Sequence, residues 1–271
     1  MSSLSAETVA RWSLEGRTAL VTGGTKGIGK AIVEELASLG ARVLTCSRTE
    51  SDVVACVAEW KEKGWEVHGI AVNVSTEEGR QALFDSAEER FNGALDILVN
   101  NVGRSIRKTS TFDYTPEEFA VIIDINFNSV LLLTQLMHPL LKTAAAAEGA
   151  RKKGGSSVVN VSSIASVAAV KTGAAYAACK AAINRLTINW GCEWAKDGIR
   201  VNAVAPGATN TPSTESVPRW VAELTERIPM GRWGDPNEIS GQVAFLCMKG
   251  ASYITSQVIC IDGGWSNNGW M

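Results

Sequence analysis

The stretch ALVTGGTKGIGKAIVEELASLG, residues 19–40, joins a short apolar run to an amphipathic one through a cluster of glycines. Gly23, Gly27 and Gly29 stand at the junction, where a residue without Cβ allows a tight turn and lets another group approach the backbone closely. The helix that follows presents unpaired N–H groups and the positive end of its dipole, so the turn suits a pyrophosphate. Its spacing, G-x-x-x-G-x-G, differs from the G-x-G-x-x-G of many dinucleotide turns while keeping the same mechanical roles. The pattern predicts a helix from about Ile28 that stops at Gly40, a residue suited to a left-handed cap.

Outward from that unit, short β-rich runs alternate with longer amphipathic ones almost to the C-terminus. Seven strands are predicted, at 18–23, 41–46, 67–72, 95–100, 156–162, 199–204 and 258–262. Runs such as LDILVN and SSVVNV are mostly apolar, as befits strands covered on both faces. The expected fold is α/β, a Rossmann-type doubly wound seven-stranded parallel sheet with helices on both faces, built as a single domain over residues 1–271. TAAAAEGARKKGGS, between Lys142 and Ser156, reads as a mobile surface connection whose Arg151, Lys152 and Lys153 are solvated. Residues 208–236 carry prolines 212, 218, 229 and 236 around a short helical stretch, and a loop of that length in a compact domain is expected to be functional, here as a substrate loop.

Composition narrows the function classes. With 45% hydrophobic and 20% charged residues and a formal net charge of −2, the chain can bury a core and offers no attraction to nucleic acid or to an anionic membrane. No signal-peptide pattern is read in MSSLSAETVARW, and no apolar run is read as approaching a membrane span, so the expectation is a cytoplasmic protein. The six cysteines form no CxxC pair, and His68 and His138 are the only histidines, so no metal site is expected.

The end of the second strand chooses between dinucleotides, because an NAD enzyme places a carboxylate there for the ribose hydroxyls. Here the strand ends VLTCSR, and Ser47 and Arg48 suit a 2′-phosphate instead. Lys26, in the glycine turn, is expected to add a second positive charge. The expected cofactor is therefore NADP(H).

Tyr176 and Lys180 lie four residues apart, on one face of a predicted helix. A phenol has a pKa of about 10, so it needs a nearby ammonium to act as a base at neutral pH, and Lys180 is the expected source. Ser163 stands thirteen residues earlier, at the C-terminal end of the fifth strand, the edge where open α/β sheets bind ligands. Its hydroxyl is placed to hold a carbonyl oxygen while Tyr176 donates a proton.

Through TGGTKGIG at 22–29, NNVG at 100–103, SS followed by YAACK, and VNAVAPG at 201–207, nearly the whole chain resembles the short-chain dehydrogenase/reductase family. RWSLEGRTALVTGG, LTCSR, CEWAKDGIRVNAVAPG and ASYITSQVICIDGG are most similar to its tropinone reductase-like members. The resemblance implies a catalytic set of Asn126, Ser163, Tyr176 and Lys180, with Lys180 also on the nicotinamide ribose and Asn126 fixing a water. It implies a cofactor site in which Thr25, Lys26 and Ile28 accompany the glycines of the turn and Val74 follows Asn73. Asn101, on the adenosine side, and Gly103 come from NNVG, and Pro206, Gly207, Thr209 and the carboxamide-binding Thr211 from the segment after VNAVA.

Two positions depart from the family pattern. Val102 stands where a small residue usually lies against the cofactor, and Asn73 replaces an aspartate that accepts from the adenine amino group. The expected activity is reduction of a ketone, or its reversal on a secondary alcohol. The alternatives are a 3-oxoacyl thioester reductase, with Arg151, Lys152 and Lys153 in a patch for an acidic carrier, and a non-enzymatic NADPH-binding regulator; the intact Ser163, Tyr176 and Lys180 argue against the latter. A homodimer or homotetramer is expected, with Trp190 and Trp194 read equally as an interface contact or as core. For the substrate pocket, Arg104 and Arg107 follow NNVG and Ile164 follows Ser163, while Trp220 and Trp233 lie on the long loop. If the arginines face the cleft, they would disfavour a cationic amine and favour a neutral or acidic ketone.

Overall fold

A computed structural model describes residues 5–108, 110–147, 155–170, 173–212, 214 and 224–268. A short helix α1 (Ala6–Arg11) precedes β1 (Thr18–Thr22), α2 (Gly27–Ser38), β2 (Arg42–Ser47), α3 (Glu50–Glu62), β3 (Val67–Ala71), α4 (Glu77–Arg90) and β4 (Ile97–Asn100). The second half holds α5 (Pro116–Ile123), α6 (Ser129–Ala147), β5 (Ser156–Val161), α7 (Ala174–Glu193), β6 (Ile199–Pro206), α8 (Pro236–Cys247) and β7 (Val258–Ile261). The strands form one sheet in the order β3-β2-β1-β4-β5-β6-β7, with every pairing parallel. All seven predicted strands are present within one or two residues. β4 begins two residues late because Asp96 is used as an anchor: its carboxylate accepts from the Thr18 N–H and hydroxyl and pairs with Arg17 at 2.7 Å.

Alternate residues of each strand serve opposite faces, as the twofold period of a strand requires. Ala19, Val21, Ile97, Val99 and Val159 share one apolar cluster with Ile32 and Leu36 of α2, Trp60 of α3 and Val243 of α8. Leu20, Leu44, Leu98 and Val158 pack on the other face with Leu83 of α4, Leu133 and Leu141 of α6 and Ile183 of α7. Both faces being covered accounts for the unbroken apolar runs in the sequence.

The order reverses at β1, which pairs with β2 on one side and β4 on the other. A crevice therefore opens where the C-terminal ends of β1 and β4 feed loops that part to opposite faces. The helix after the glycine turn, α2, stops just before Gly40 as the sequence predicts: Gly40 sits at φ +97°, and a Cβ there would lie 2.9 Å from the Glu15 Cα, so only glycine fits.

A polar seam crosses one of the two apolar layers. The Asn100 amide donates to the Asn160 side chain, its strand neighbour, and to Thr134 of α6, and the Asn160 amide donates to Thr187 of α7. All four residues are buried, so each bond replaces water that cannot reach them.

Two sequence expectations need correction, and one open reading is settled. Thr143–Ala147 is the last turn and a half of α6 rather than loop, because alanine is the best helix former and Ala144 and Ala145 are buried; residues 148–154, with Arg151, Lys152 and Lys153, lie outside the described residues. Trp190 and Trp194 stack at 5.0 Å and are 6% and 7% exposed within the core, so they offer no surface for an interface. Finally, α5, a π-helical turn at Asp124–Asn128 and α6 make one helical run, Pro116–Ala147, long and apolar enough to cross a membrane, although the sequence reading found no such stretch. Its buried side carries Leu133, Met137 and Leu141 in the core, and a core helix meets the same criterion.

Candidate active site

A cavity of about 1000 Å³ follows the C-terminal edge of the sheet from the end of β2, over the glycine turn, to the start of α7. At the turn Gly23 and Gly27 take φ +71° and +54°, and a Cβ on Gly29 would overlap the Gly23 carbonyl oxygen. Lys26 is the N-cap residue of α2 and its side chain makes no capping bond, so the first turn of the helix faces the cavity uncapped beside Thr25 and Ile28. Asn101 braces this turn by donating to the carbonyls of Thr22 and Gly23 at 2.9 and 3.2 Å. Thr45 braces it from β2, accepting from the Gly24 N–H and donating to the Val21 carbonyl. Val102 packs against Gly23: a Cβ there would lie 3.1 Å from a Val102 methyl, so this larger residue is accommodated by the glycine opposite.

At the β2 end, Ser47 and Arg48 line the cavity, and Arg48 makes no ion pair among the described residues. Lys26 lines it too, but its ammonium is 2.7 Å from the Asp52 carboxylate, which sequence reading missed. The second free charge expected at this end is thus already answered by Asp52, which leaves Arg48 as the cation there without an ion pair among the described residues. Asn73 also departs from expectation: its side-chain oxygen accepts from both the N–H and the hydroxyl of Ser75, so it closes its own turn rather than offering a free acceptor. The neighbouring Val74 is buried on the cavity wall.

At the other end, Ser163, Tyr176 and Lys180 converge. Ser163 caps the short turn Ile164–Ser166, its hydroxyl accepting from the Ala165 N–H, and shares the cavity wall with Tyr176. Burial raises the phenol above its ordinary value, opposed by the neighbouring Ser163 hydroxyl and by the charge of Arg107. Lys180 does not lower it as expected. The Lys180 ammonium lies 5.7 Å from the Tyr176 ring centroid and donates instead to the Val161 carbonyl at 2.8 Å. Only 2% of Lys180 is exposed, and burial pushes its ammonium down to about 8. The site therefore holds a protonated phenol, ready to act as an acid, beside an ammonium near its titration point.

Asn126 sits fully buried in the π-helical turn. Its side chain clamps the loop after β4 from both sides, accepting from the Arg104 N–H at 3.0 Å and donating to the Arg104 carbonyl at 2.8 Å. Gly103 leaves room there, since a Cβ on it would lie 3.2 Å from the Lys180 ammonium. Pro206, Gly207, Thr209 and Thr211 line the wall after β6, though the Thr209 hydroxyl turns back to the Gly207 carbonyl. Thr211 touches the glycine turn, its methyl 3.2 Å from where a Gly27 Cβ would stand.

Of the pocket candidates, Arg104, Arg107, Ile164 and Trp233 line the cavity, and Trp220 lies outside the described residues. The Trp233 indole N–H is buried with no hydrogen-bond partner. Leu224 and Trp265 also line the cavity; neither belongs to a motif, and only their distance along the chain hid them.

A glycine-cradled crevice leading to a Ser-Tyr-Lys cluster defines a class of dinucleotide-linked oxidoreductases. The family model described as enoyl-(acyl carrier protein) reductase matches residues 23–266, and the chain belongs to the short-chain dehydrogenase/reductase family. A tropinone reductase homolog of Datura stramonium is 49% identical over 267 residues, covering 96% of both chains. One of Arabidopsis thaliana is 46% identical, covering 98% of this chain and 97% of its own. Among solved structures, the Pseudomonas aeruginosa RhlG/NADP active-site complex superposes with a TM-score of 0.87 at 33% identity, covering 95% of this chain and 99% of that one. A gluconate 5-dehydrogenase from Burkholderia cenocepacia in complex with NADP and tartrate gives 0.86 at 29% identity, covering 96% and 98%.

Proposed function

We propose that this chain is an NADPH-dependent carbonyl reductase of tropinone reductase-like type, acting on a ketone or, in reverse, on a secondary alcohol. The observation that carries this reading is the continuity of one cavity from Arg48, across the uncapped glycine turn, to Ser163, Tyr176 and Lys180. The residues fit the dinucleotide: the glycines leave a cradle that any Cβ would fill, and Arg48 offers a guanidinium for a 2′-phosphate. Relatives and neighbours point the same way, with tropinone reductase homologs among the former and NADP complexes among the latter.

In this reading Gly23, Gly27, Gly29 and the start of α2 hold the pyrophosphate, Arg48 the 2′-phosphate, and Thr211 and Lys180 the nicotinamide end. The bound cofactor supplies the hydride. Ser163 holds the substrate oxygen by a hydrogen bond and Tyr176 donates its phenolic proton to that oxygen as negative charge develops there. Lys180, buried beside the phenol, makes the return of a proton to Tyr176 easier because its own affinity is tuned to near neutral pH. Asn126 fixes the loop that forms the facing wall, and Ile164, Leu224 and Trp233 enclose the substrate.

Tyr176→Phe tests the reading. Turnover of NADPH with a ketone is expected to fall by about 10²- to 10⁴-fold while NADPH affinity, read from nicotinamide fluorescence, stays within about twofold. Comparable turnover in the variant would remove Tyr176 as the proton donor.

A further inference from the structure

The loop after β4 is fixed with unusual thoroughness for a surface segment. Arg104 is clamped through both backbone groups by the buried side chain of Asn126. Two residues on, the Ile106 carbonyl accepts from the Tyr114 hydroxyl at 2.7 Å, while the Ile106 side chain packs with Ile122, Ala175 and Cys179. Gly173, at φ +98°, gives the Tyr114 hydroxyl its room at the entry to α7, because a Cβ there would overlap it. Lys108, two residues after Ile106, is drawn aside into a 2.7 Å ion pair with Glu118.

These anchors fix the backbone from which the loop's other side chains project. With Ile106 turned inward to the apolar cluster, Arg104 and Arg107 line the cavity that contains Ser163 and Tyr176. Among the described residues on that cavity wall Asp52 is the only carboxylate, and it lies with Lys26 beside the glycine turn rather than at the Tyr176 end. Among the described residues, the Tyr176 end of the cavity thus carries Arg104 and Arg107 and no carboxylate, on a prearranged backbone. This charge reaches the reacting group, since the Arg107 charge pulls the Tyr176 phenol down against the larger effect of burial.

We propose that Arg104 and Arg107 form an anion-binding wall of the substrate cleft, and that the substrate is a ketone carrying a carboxylate near its carbonyl. This rests on the reductase reading and deepens it. A guanidinium meets a carboxylate through two parallel N–H donors, so the wall orients the substrate as well as attracting it. Tyr114 and Asn126 act as positioning residues for that wall: they hold the backbone from which the arginines project.

The test uses three cyclohexanones of like size: one bearing a carboxylate, its methyl ester, and a trimethylammonium counterpart. With wild-type protein and NADPH, kcat/KM is expected to be highest for the carboxylate and lowest for the ammonium compound. Replacing both arginines by glutamine is expected to lower the carboxylate-to-ester ratio by about 10- to 100-fold, the range of a charge-assisted hydrogen bond. Arg107→Glu is expected to move the preference toward the ammonium compound. An ester used as well as the carboxylate by the wild type, or a ratio unmoved by the double substitution, overturns the anion wall and leaves the reductase reading standing. Failure of all three ketones in protein that binds NADPH overturns the reductase reading and the wall with it.

Discussion

Replacing Lys180 by methionine removes a buried ammonium while nearly keeping its volume, and the effect on stability can be worked out from the site. Burial lowers the lysine from its ordinary 10.5 to about 8, so the folded state binds this proton more weakly than the unfolded chain does. A pKa lowered on folding makes the wild type gain stability as pH rises from about 8 to about 10.5, where the unfolded chain still holds a proton that the folded site has released. At about 1.4 kcal/mol per tenfold change in affinity, the ammonium costs about 3 kcal/mol at pH 7 and about 1 kcal/mol at pH 10. The methionine variant escapes this cost but leaves the Val161 carbonyl without its donor, a loss of about 1–3 kcal/mol that does not depend on pH. The expected result is that the stability of the variant minus that of the wild type falls by about 2 kcal/mol between pH 7 and pH 10. Urea unfolding followed by tryptophan fluorescence measures it, and other titrating groups cancel in the difference. A difference that stays flat across that interval would refute the buried ammonium. Activity is expected to be lost in the variant, a trade of function for stability common at active sites.

Two further substitutions test the cofactor end. Arg48→Asp is expected to weaken NADPH by about 10- to 100-fold and to let NADH compete, because a charge-assisted contact to the 2′-phosphate is lost and a carboxylate for ribose hydroxyls appears; equal use of both dinucleotides by the wild type would contradict the assignment. Gly29→Ala is expected to abolish cofactor binding by calorimetry while circular dichroism stays native-like, because the added methyl would overlap only the Gly23 carbonyl and the Asn101 amide that braces it; unchanged affinity would show that the turn does not carry the pyrophosphate.

The sheet was legible because local signals agree: glycine-bounded apolar runs of strand length alternate with helical ones, and each strand pairs in parallel. The line through Gly29, Ser163, Tyr176 and Lys180 was legible for a related reason, as strand ends in such a sheet converge on one edge. What the sequence could not show were partners brought in from elsewhere in the chain. Asp52 meets Lys26 from the first turn of α3, and Ser75 occupies the Asn73 oxygen, so two expected ligand contacts were already satisfied within the protein. The Tyr176–Lys180 spacing correctly placed both on one helix face, yet the ammonium takes a carbonyl on β5 rather than the phenol. The Trp190–Trp194 spacing gave a face without saying whether that face was inside or outside.

The seam of Asn100, Asn160, Thr134 and Thr187 has a consequence for how the central strands find their alignment. A slip of β5 by one residue would turn its apolar side chains to the wrong layer, and hydrophobicity alone resists it. A slip by two residues would restore every facing, and in a stretch such as SSVVNV the apolar pattern barely distinguishes it. Asn160 does distinguish it: displaced two places from Asn100, it would leave amide and hydroxyl groups buried without partners, at about 1–3 kcal/mol each. In the middle of an otherwise greasy sheet, one asparagine pair thus works as a vernier, separating alignments that the coarse scale of apolar alternation reads as the same.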